Sequence, residues 1–99
     1  PAISERPRPR ADTEVAWQGL MRRALASYVR GNLPQAQRLY RRAAALAPER
    51  AEAWRGLALT AARRRQHEEA KAAFTHYSAL AEPSERQAVE AHLAQWRSL

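Results

Sequence analysis

Apolar residues recur at three- and four-residue steps along most of this 99-residue chain, a spacing typical of amphipathic helices. Five segments share it, and none alternates apolar and polar residues as a half-buried strand would. The apolar positions, segment by segment, are Trp17, Leu20, Met21, Ala24, Leu25 and Tyr28; Ala36, Leu39, Tyr40, Ala43 and Leu46; Ala53, Trp54, Leu57, Ala58 and Ala61; Ala70, Ala73, Phe74, Tyr77 and Leu80; and Val89, Leu93 and Trp96. The pattern predicts an all-α fold of antiparallel helix hairpins.

Capping residues separate the first two segments. Asp12 or Thr13 can cap the first helix, since a short polar side chain accepts a hydrogen bond from the backbone of the first turn. Gly31 is expected to end that helix, because Gly accepts the left-handed conformation that follows a helix end. Asn32 and Gln35 then form a capping box that predicts the start of the second helix.

The start of the chain differs from the rest in composition. Residues 1–12 alternate Pro with Arg and show no apolar period, which predicts a disordered, solvated linker or else a basic docking arm. Residues 13–99 are long enough to bury one hydrophobic core. We therefore expect a single helical domain after the linker.

Similar residues recur at an interval of about 34 positions. Three pairs share it: Ala36 and Ala70, Tyr40 and Phe74, and Pro48 and Pro83. This interval is the period of the tetratricopeptide repeat. Trp54 and Leu57 stand where that family has Trp and Leu in its first helix, and Ala58 stands where Gly is usual. The chain from Trp17 to Pro83 therefore resembles the tetratricopeptide repeat family.

The resemblance implies a short right-handed superhelix of stacked helix hairpins. Repeat one is expected at about residues 17–50, repeat two at about 51–83, and a capping helix at about 84–98. Such a cap covers the last hydrophobic face of an array. Val89, Leu93 and Trp96 would then pack onto Phe74, Tyr77 and Leu80. The small residues Ala36 and Ala70 are expected where two helices cross closely.

Two positions depart from the family pattern. Arg65 stands at the turn where Gly is usual, so we expect a cost in free energy if that turn needs a positive φ, and a looser turn as a result. Tyr77 stands where the first repeat has the much smaller Ala43. We expect the final helix to leave a wider gap that accommodates the Tyr77 ring.

The front of the array is predicted to lack a cover. The pentapeptide AWQGL at Ala16 recurs as AWRGL at Ala53, an interval longer than that of the other pairs, so Leu20 and not Trp17 corresponds to Trp54 in the repeat register. Trp17 and Leu20 are therefore candidates for a contact outside the two repeats. That contact would be an additional packed segment, a second copy in a homo-oligomer, or a neighbouring domain.

The net charge of +7 favours acidic partners or nucleic acid. A GC-rich bacterial genome would produce the same bias towards Arg and Ala without any functional cause. The alternative function is a basic helical nucleic-acid-binding domain that uses Arg38, Arg41, Arg42, Arg63, Arg64 and Arg65 against phosphates. We favour protein over nucleic acid because the aromatic residues that would stack on bases are predicted to lie in the core.

Motifs for catalysis are missing from the sequence. His67, His76 and His92 have neither each other nor a carboxylate at a metal-ligand spacing, and the chain contains no Cys and no Gly-rich phosphate loop. We expect no enzymatic activity, no cofactor and no metal site. No apolar run approaches the ~20 residues of a membrane span, so we expect no membrane insertion within this chain.

What the resemblance implies is protein binding. Arrays of this family hold peptides or protein segments in a groove lined by the first helix of each pair. The corresponding residues here are Met21, Leu25, Tyr28, Arg55, Leu59 and Arg63. An apolar floor with Arg at one side suits an extended or helical segment that carries hydrophobic anchors and an acidic residue. The family's clamp for acidic chaperone tails needs Lys and Asn, which Leu25, Gly56 and Leu59 do not supply.

We therefore expect a protein-interaction module or scaffold. In this family, short arrays are frequent in bacterial multiprotein assemblies such as pilus, secretion or polysaccharide-export machinery. The expected location is the bacterial periplasm or cytoplasm, or the soluble part of a membrane-associated protein.

Overall fold

The computed structural model describes residues 10–97, which form five α-helices joined by short turns. The helices are α1 (Arg10–Val29), α2 (Leu33–Leu46), α3 (Ala51–Arg63), α4 (His67–Leu80) and α5 (Pro83–Arg97). No strand occurs between residues 10 and 97. The all-α prediction is therefore confirmed. Residues 1–9, which make up most of the predicted linker, lie outside the described part, as does the side chain of Trp96.

The first helix begins earlier than the sequence predicts. It starts at Arg10 rather than after a cap at Asp12 or Thr13, so residues 10–12 are helical and do not belong to a linker. Asp12 lies in the first turn, where a carboxylate interacts favourably with the positive end of the helix dipole. This position explains why an acidic residue near a helix start could be mistaken for its cap.

The backbone repeats at the interval seen in the sequence. Leu33 and His67 begin α2 and α4, and Leu46 and Leu80 end them, so the starts and the ends of the two helices are separated by the same number of positions.

The turns that precede α2 and α4 are closed by the same two backbone hydrogen bonds, in which consecutive residues donate to carbonyls three and five positions back. These bonds are 2.8–3.0 Å long and join Gly31 to Tyr28, Asn32 to Ser27, Arg65 to Ala62, and Gln66 to Ala61. Two helix hairpins of this chain thus share one backbone design.

Arg65 takes the left-handed conformation that Gly31 takes in the first turn. Its φ is 63°, and the φ of Gly31 is 84°. The positive φ on which the expected cost depends is therefore observed. The expected loosening is not, because the second turn keeps both hydrogen bonds of the first.

Small residues allow the helices to approach closely. Ala36 and Ala70, predicted at the helix crossings, are both buried, as are Ala24 and Ala58. Larger side chains fill the space between them: Trp17, Tyr40 and Tyr77 are buried, while Trp54 and Phe74 are half-buried against the same core. Interiors built in this way are sensitive to any increase in side-chain volume.

Tyr77 occupies space between α4 and its neighbours. Its side chain is buried, and α5 packs more against α3 than against α4; the wider gap expected beside the ring stays a prediction. Burial raises the pKa of the Tyr77 hydroxyl. Val89 and Leu93 of α5 are buried as well. Leu80 is exposed, so the prediction that this helix covers it is wrong. The light contact between α4 and α5 explains this difference.

Trp17, at the front of the domain, is covered from within the chain. Trp17 and Leu20 are only 6% and 8% exposed, and their contact with a partner outside the two repeats stays a prediction. The guanidinium of Arg50, just before α3, lies 3.8 Å from the centroid of the Trp17 ring and also pairs with Glu14. Arg50 therefore acts as a cover for Trp17.

Candidate functional site

An open groove of about 550 Å³ lies among the first helices of the two hairpins and the last helix. α1 and α3 contribute most of its lining, Tyr40 contributes from α2, and Ala88, Val89 and His92 contribute from α5. This volume falls within the range of about 300–1,000 Å³ that is usual for ligand sites.

The structure brings the predicted groove residues together. Five of them line this cavity: Met21, Leu25, Tyr28, Arg55 and Leu59. The sixth, Arg63, lies about one helical turn beyond Leu59 on α3, with its guanidinium 5.0 Å from the centroid of the Tyr28 ring. Their arrangement around one cavity agrees with the sequence-based expectation, and their role in binding stays a prediction.

Gly56 and Tyr40 together shape the centre of the groove. A Cβ atom on Gly56 would lie 2.6 Å or less from three atoms of the Tyr40 ring, so only Gly allows the ring to rest against α3 here. Burial raises the pKa of the Tyr40 hydroxyl; the nearby Tyr28 adds to this rise, and the positive charge of Arg55 opposes it. The sequence predicts Tyr40 only as a core residue, yet it also lines the groove.

The groove wall on α1 is apolar and exposed. Leu25 is 55% exposed, while Met21 and Tyr28 are half-buried beside it. One turn further along α1, Val29 is 75% exposed and extends the same face. Leu59 of α3 is half-buried in the opposite wall. Burying such apolar surface is favourable by about 25 cal/mol per Å².

Positive charge predominates around this apolar surface. Arg22 and Arg55 line the groove and are exposed, and Glu52 is their acidic neighbour in the lining. Within residues 10–97, neither arginine forms a salt bridge; the ion pairs found there join Arg41 to Glu69 and Arg50 to Glu14. The two guanidinium groups of the groove are therefore available to a carboxylate of a partner.

The contribution of α5 to the groove is not predicted from the sequence, where this helix is typical of a cap. Ala88 and His92 lie four residues apart and so share a helix face, and both line the groove together with Val89. The period of α5 alone could have indicated a second face beside the one that carries Val89 and Leu93.

The arginines considered for nucleic acid have several separate roles. Arg41 makes two hydrogen bonds of 2.6 Å to the Glu69 carboxylate, and Arg64 donates a hydrogen bond of 2.7 Å to Gln37. Arg38 donates to Gln35 on the same helix. These contacts join three of the basic side chains to neighbouring residues, and Arg38 and Arg41 remain exposed.

The remaining three arginines of that group take part in three different local features. Arg63 adjoins Tyr28 at the groove, and Arg65 forms the left-handed turn. Arg42 lines a different, more open cavity between α1 and α2, beside Arg23 and Leu46. Nucleic-acid binding through these six residues stays a prediction.

Glu69 is the acceptor at the centre of a polar cluster that joins the two hairpins. Gln37 is fully buried, and its amide nitrogen donates hydrogen bonds of 2.7 Å to Gln66 and Glu69. The hydrogen bonds from Arg41 hold the pKa of Glu69 below its ordinary value, although partial burial opposes this effect. The same contact raises the pKa of Arg41. This cluster is polar but structural, and it lies outside the lining of the groove.

Neither a metal cluster nor a membrane span is found within residues 10–97. No group of three or more His, Asp or Glu side chains is gathered there as a metal ion would require. No helix in this part of the chain is long and apolar enough to cross a bilayer.

Comparison with known proteins adds no relative to this description. A scan against protein-family models, a search of curated proteins and a search of solved structures each found no match to the chain. Functional inference therefore depends on the groove itself, its exposed apolar wall and its two arginines.

Proposed function

We propose that this chain is a protein-interaction module, and that it binds a segment of another protein in the groove formed by α1, α3 and α5. The observation that carries the proposal is the exposed side chain of Leu25 in the wall of a 550 Å³ groove, close to Arg55. A partner that covers this leucine removes apolar surface from water, and its carboxylate can pair with the arginine.

The proposal includes membership of the tetratricopeptide repeat family. Its support is an interval in the structure. The two equivalent turns are separated by the same number of positions as the ends of α2 and α4, and this number is the period of that family. Stacked hairpins with this interval would form the right-handed superhelix that the sequence suggests, with α5 as the cap.

A place in a bacterial multiprotein assembly, such as pilus, secretion or polysaccharide-export machinery, is the broader part of the proposal. Its support is the Ala- and Arg-rich composition and the frequency of short arrays of this family in such systems. The groove's chemistry adds one requirement, namely that the partner is apolar with acidic residues.

We rank a protein partner above nucleic acid. Arg41 and Arg64 are held by Glu69 and Gln37, and the buried Trp17 and Tyr77 cannot stack on bases. Binding to single strands combines exposed aromatic side chains with a basic groove. Tight, sequence-tolerant binding of the chain to random oligonucleotides at about 150 mM salt would reverse this ranking.

Selection from a displayed library of random 14-residue peptides tests the proposal directly. The purified chain is the target. The affinity of each selected peptide is then measured for the unmodified chain and for the double variant Leu25→Glu/Arg55→Glu. We expect peptides rich in apolar and acidic residues, with affinity reduced at least tenfold by the double variant.

A matched control separates the groove from general charge. Leu80→Glu/Arg23→Glu makes the same chemical changes at two exposed positions outside this groove. It should bind the selected peptides as tightly as the unmodified chain does. Peptides that bind all three proteins equally would show that the groove is not the site.

A further inference from the structure

We propose that the bound segment is an amphipathic α-helix with apolar residues at positions i, i+4 and i+7 and a carboxylate beside them. This inference rests on the proposed function, because it specifies the occupant of the same groove. Three observations carry it: the backbone of the groove walls, the length of the groove, and its charge.

The walls of the groove have almost no backbone groups to offer a ligand. Met21 to Tyr28 lie within α1, and Ala88 to His92 lie within α5, where backbone groups are bonded along the helix. Glu52 is the lining residue in a first turn, where a backbone N–H has no partner inside the helix.

An extended peptide in such a groove would lose hydrogen bonds. Each of its residues brings one N–H and one C=O, and leaving these groups without partners against an apolar wall is costly. A helix satisfies its own backbone and presents only side chains. The groove therefore favours a helical ligand over a strand.

The extent of the groove along α1 and α3 matches one face of a helix. On α1 the lining runs from Met21 to Tyr28, and on α3 from Glu52 to Leu59, seven residue steps in each case. At 1.5 Å per residue this is about 10 Å. Side chains at i, i+4 and i+7 of a bound helix span the same ~10 Å and can contact Met21, Leu25 and Leu59 together. An extended segment places only about three residues in that distance, and they alternate in direction.

Charge complementarity selects an acidic helix from another protein. Arg22 and Arg55 line the groove without a salt bridge to any described residue, and Glu52 is the acid beside them. A second copy of this chain carries a net charge of +7 itself, which opposes its docking on a basic groove. A heterologous helix with Asp or Glu next to its apolar positions fits both the apolar wall and the arginines.

Two templated peptide libraries test this inference on the full chain. In the first, 14-residue peptides carry randomised apolar residues at positions 4, 8 and 11 in an Ala/Glu/Lys background. In the second, apolar and polar residues alternate around a central Pro, which prevents a helix. Both libraries are displayed and selected against the unmodified chain. The affinity of each binder for this chain is then compared with its affinity for the variant Arg22→Glu/Arg55→Glu.

We expect groove-dependent binders from the helical library only. The best synthetic peptide should gain helical circular dichroism on binding, and its affinity should fall at least tenfold when a Pro replaces its central residue. Arg23→Glu, next to Arg22 but outside the groove, should leave the affinity unchanged.

Three results would overturn the inference, and they can be told apart. Groove-dependent binders from the alternating library would show an extended ligand, while the proposed function would stand. A dimer of the chain that dissociates on Leu25→Glu/Arg55→Glu in sedimentation equilibrium would show that the occupant is a second copy. If neither library yields binders that respond to the groove variants, the proposed function would be refuted as well.

Discussion

Gly31 and Arg65 hold the same left-handed backbone conformation at equivalent positions of two turns. Both turns are closed by the same pattern of hydrogen bonds, although one residue lacks a side chain and the other has a long one. A residue with a Cβ costs roughly 1 kcal/mol in this conformation relative to Gly. The second hairpin is therefore built on a turn that is less stable than the same turn with Gly would be.

Arg65→Gly should stabilise the domain by about 0.5–1 kcal/mol, because Gly adopts the φ of 63° without steric cost. Urea denaturation followed by circular dichroism measures the change. The reciprocal variant Gly31→Arg should destabilise by a similar amount. A stability that is lower in Arg65→Gly than in the unmodified chain would contradict the equivalence of the two turns.

The same substitution at two glycines should have opposite effects. Gly56→Ala places a Cβ against the Tyr40 ring and should destabilise the domain by about 1–3 kcal/mol, as overpacking generally does. Gly19→Ala meets no atom within 4 Å in the middle of α1 and should stabilise it by about 0.5–1 kcal/mol. Thermal denaturation of the two variants checks this, and effects of equal sign would show that Tyr40 does not lie against α3.

Gln37→Leu should destabilise the domain by about 1–3 kcal/mol. The substitution leaves three hydrogen-bonding partners, Gln66, Glu69 and Arg64, without the buried amide that joins them. Gln35→Leu, two positions away on the same helix, is the control and should change stability little. Its side-chain bond to Arg38 is exposed, and its backbone N–H still donates to the capping side chain of Asn32. Equal stabilities of the two variants in urea would argue against the polar cluster.

The ion pair of Glu69 should make stability depend on pH in the acidic range. Because the pKa of Glu69 is lower in the folded state than its ordinary value of 4.5, the contribution is fully present above that pH. It is lost as the pH falls through the folded-state pKa. Glu69→Gln should therefore be less stable than the unmodified chain at pH 7, and the difference should shrink at pH 3. Urea denaturation at both values measures it, and a difference that grows on acidification would contradict the sign.

The helices could be predicted because they depend on local periodicity, and Gly31 marks its turn by residue type alone. Leu25 and Leu59 are expected at a groove because of the resemblance to the tetratricopeptide repeat family, whose groove is lined by the first helix of each pair. The left-handed turn at Arg65 could be located only by its position relative to Gly31. Local patterns were sufficient wherever one helix face or one turn decided the structure.

Contacts between distant segments could not be predicted in this way. Trp17 is covered by Arg50, which lies before α3, and nothing in the period of α1 indicates that cover. His92 lines the groove from α5, which packs more extensively on α3 than on α4. These features depend on how helices pack, so the sequence pattern left them open.

The affinity of a groove-dependent peptide for three forms of the chain tests the proposed function most directly. These forms are the unmodified chain, Leu25→Glu/Arg55→Glu, and the control Leu80→Glu/Arg23→Glu, each with its stability measured in urea. We predict that the groove variant binds at least tenfold more weakly, a loss of about 1.4 kcal/mol or more, while the control binds normally and all three stay folded. Equal affinities for the unmodified chain and the folded groove variant would contradict binding in the groove.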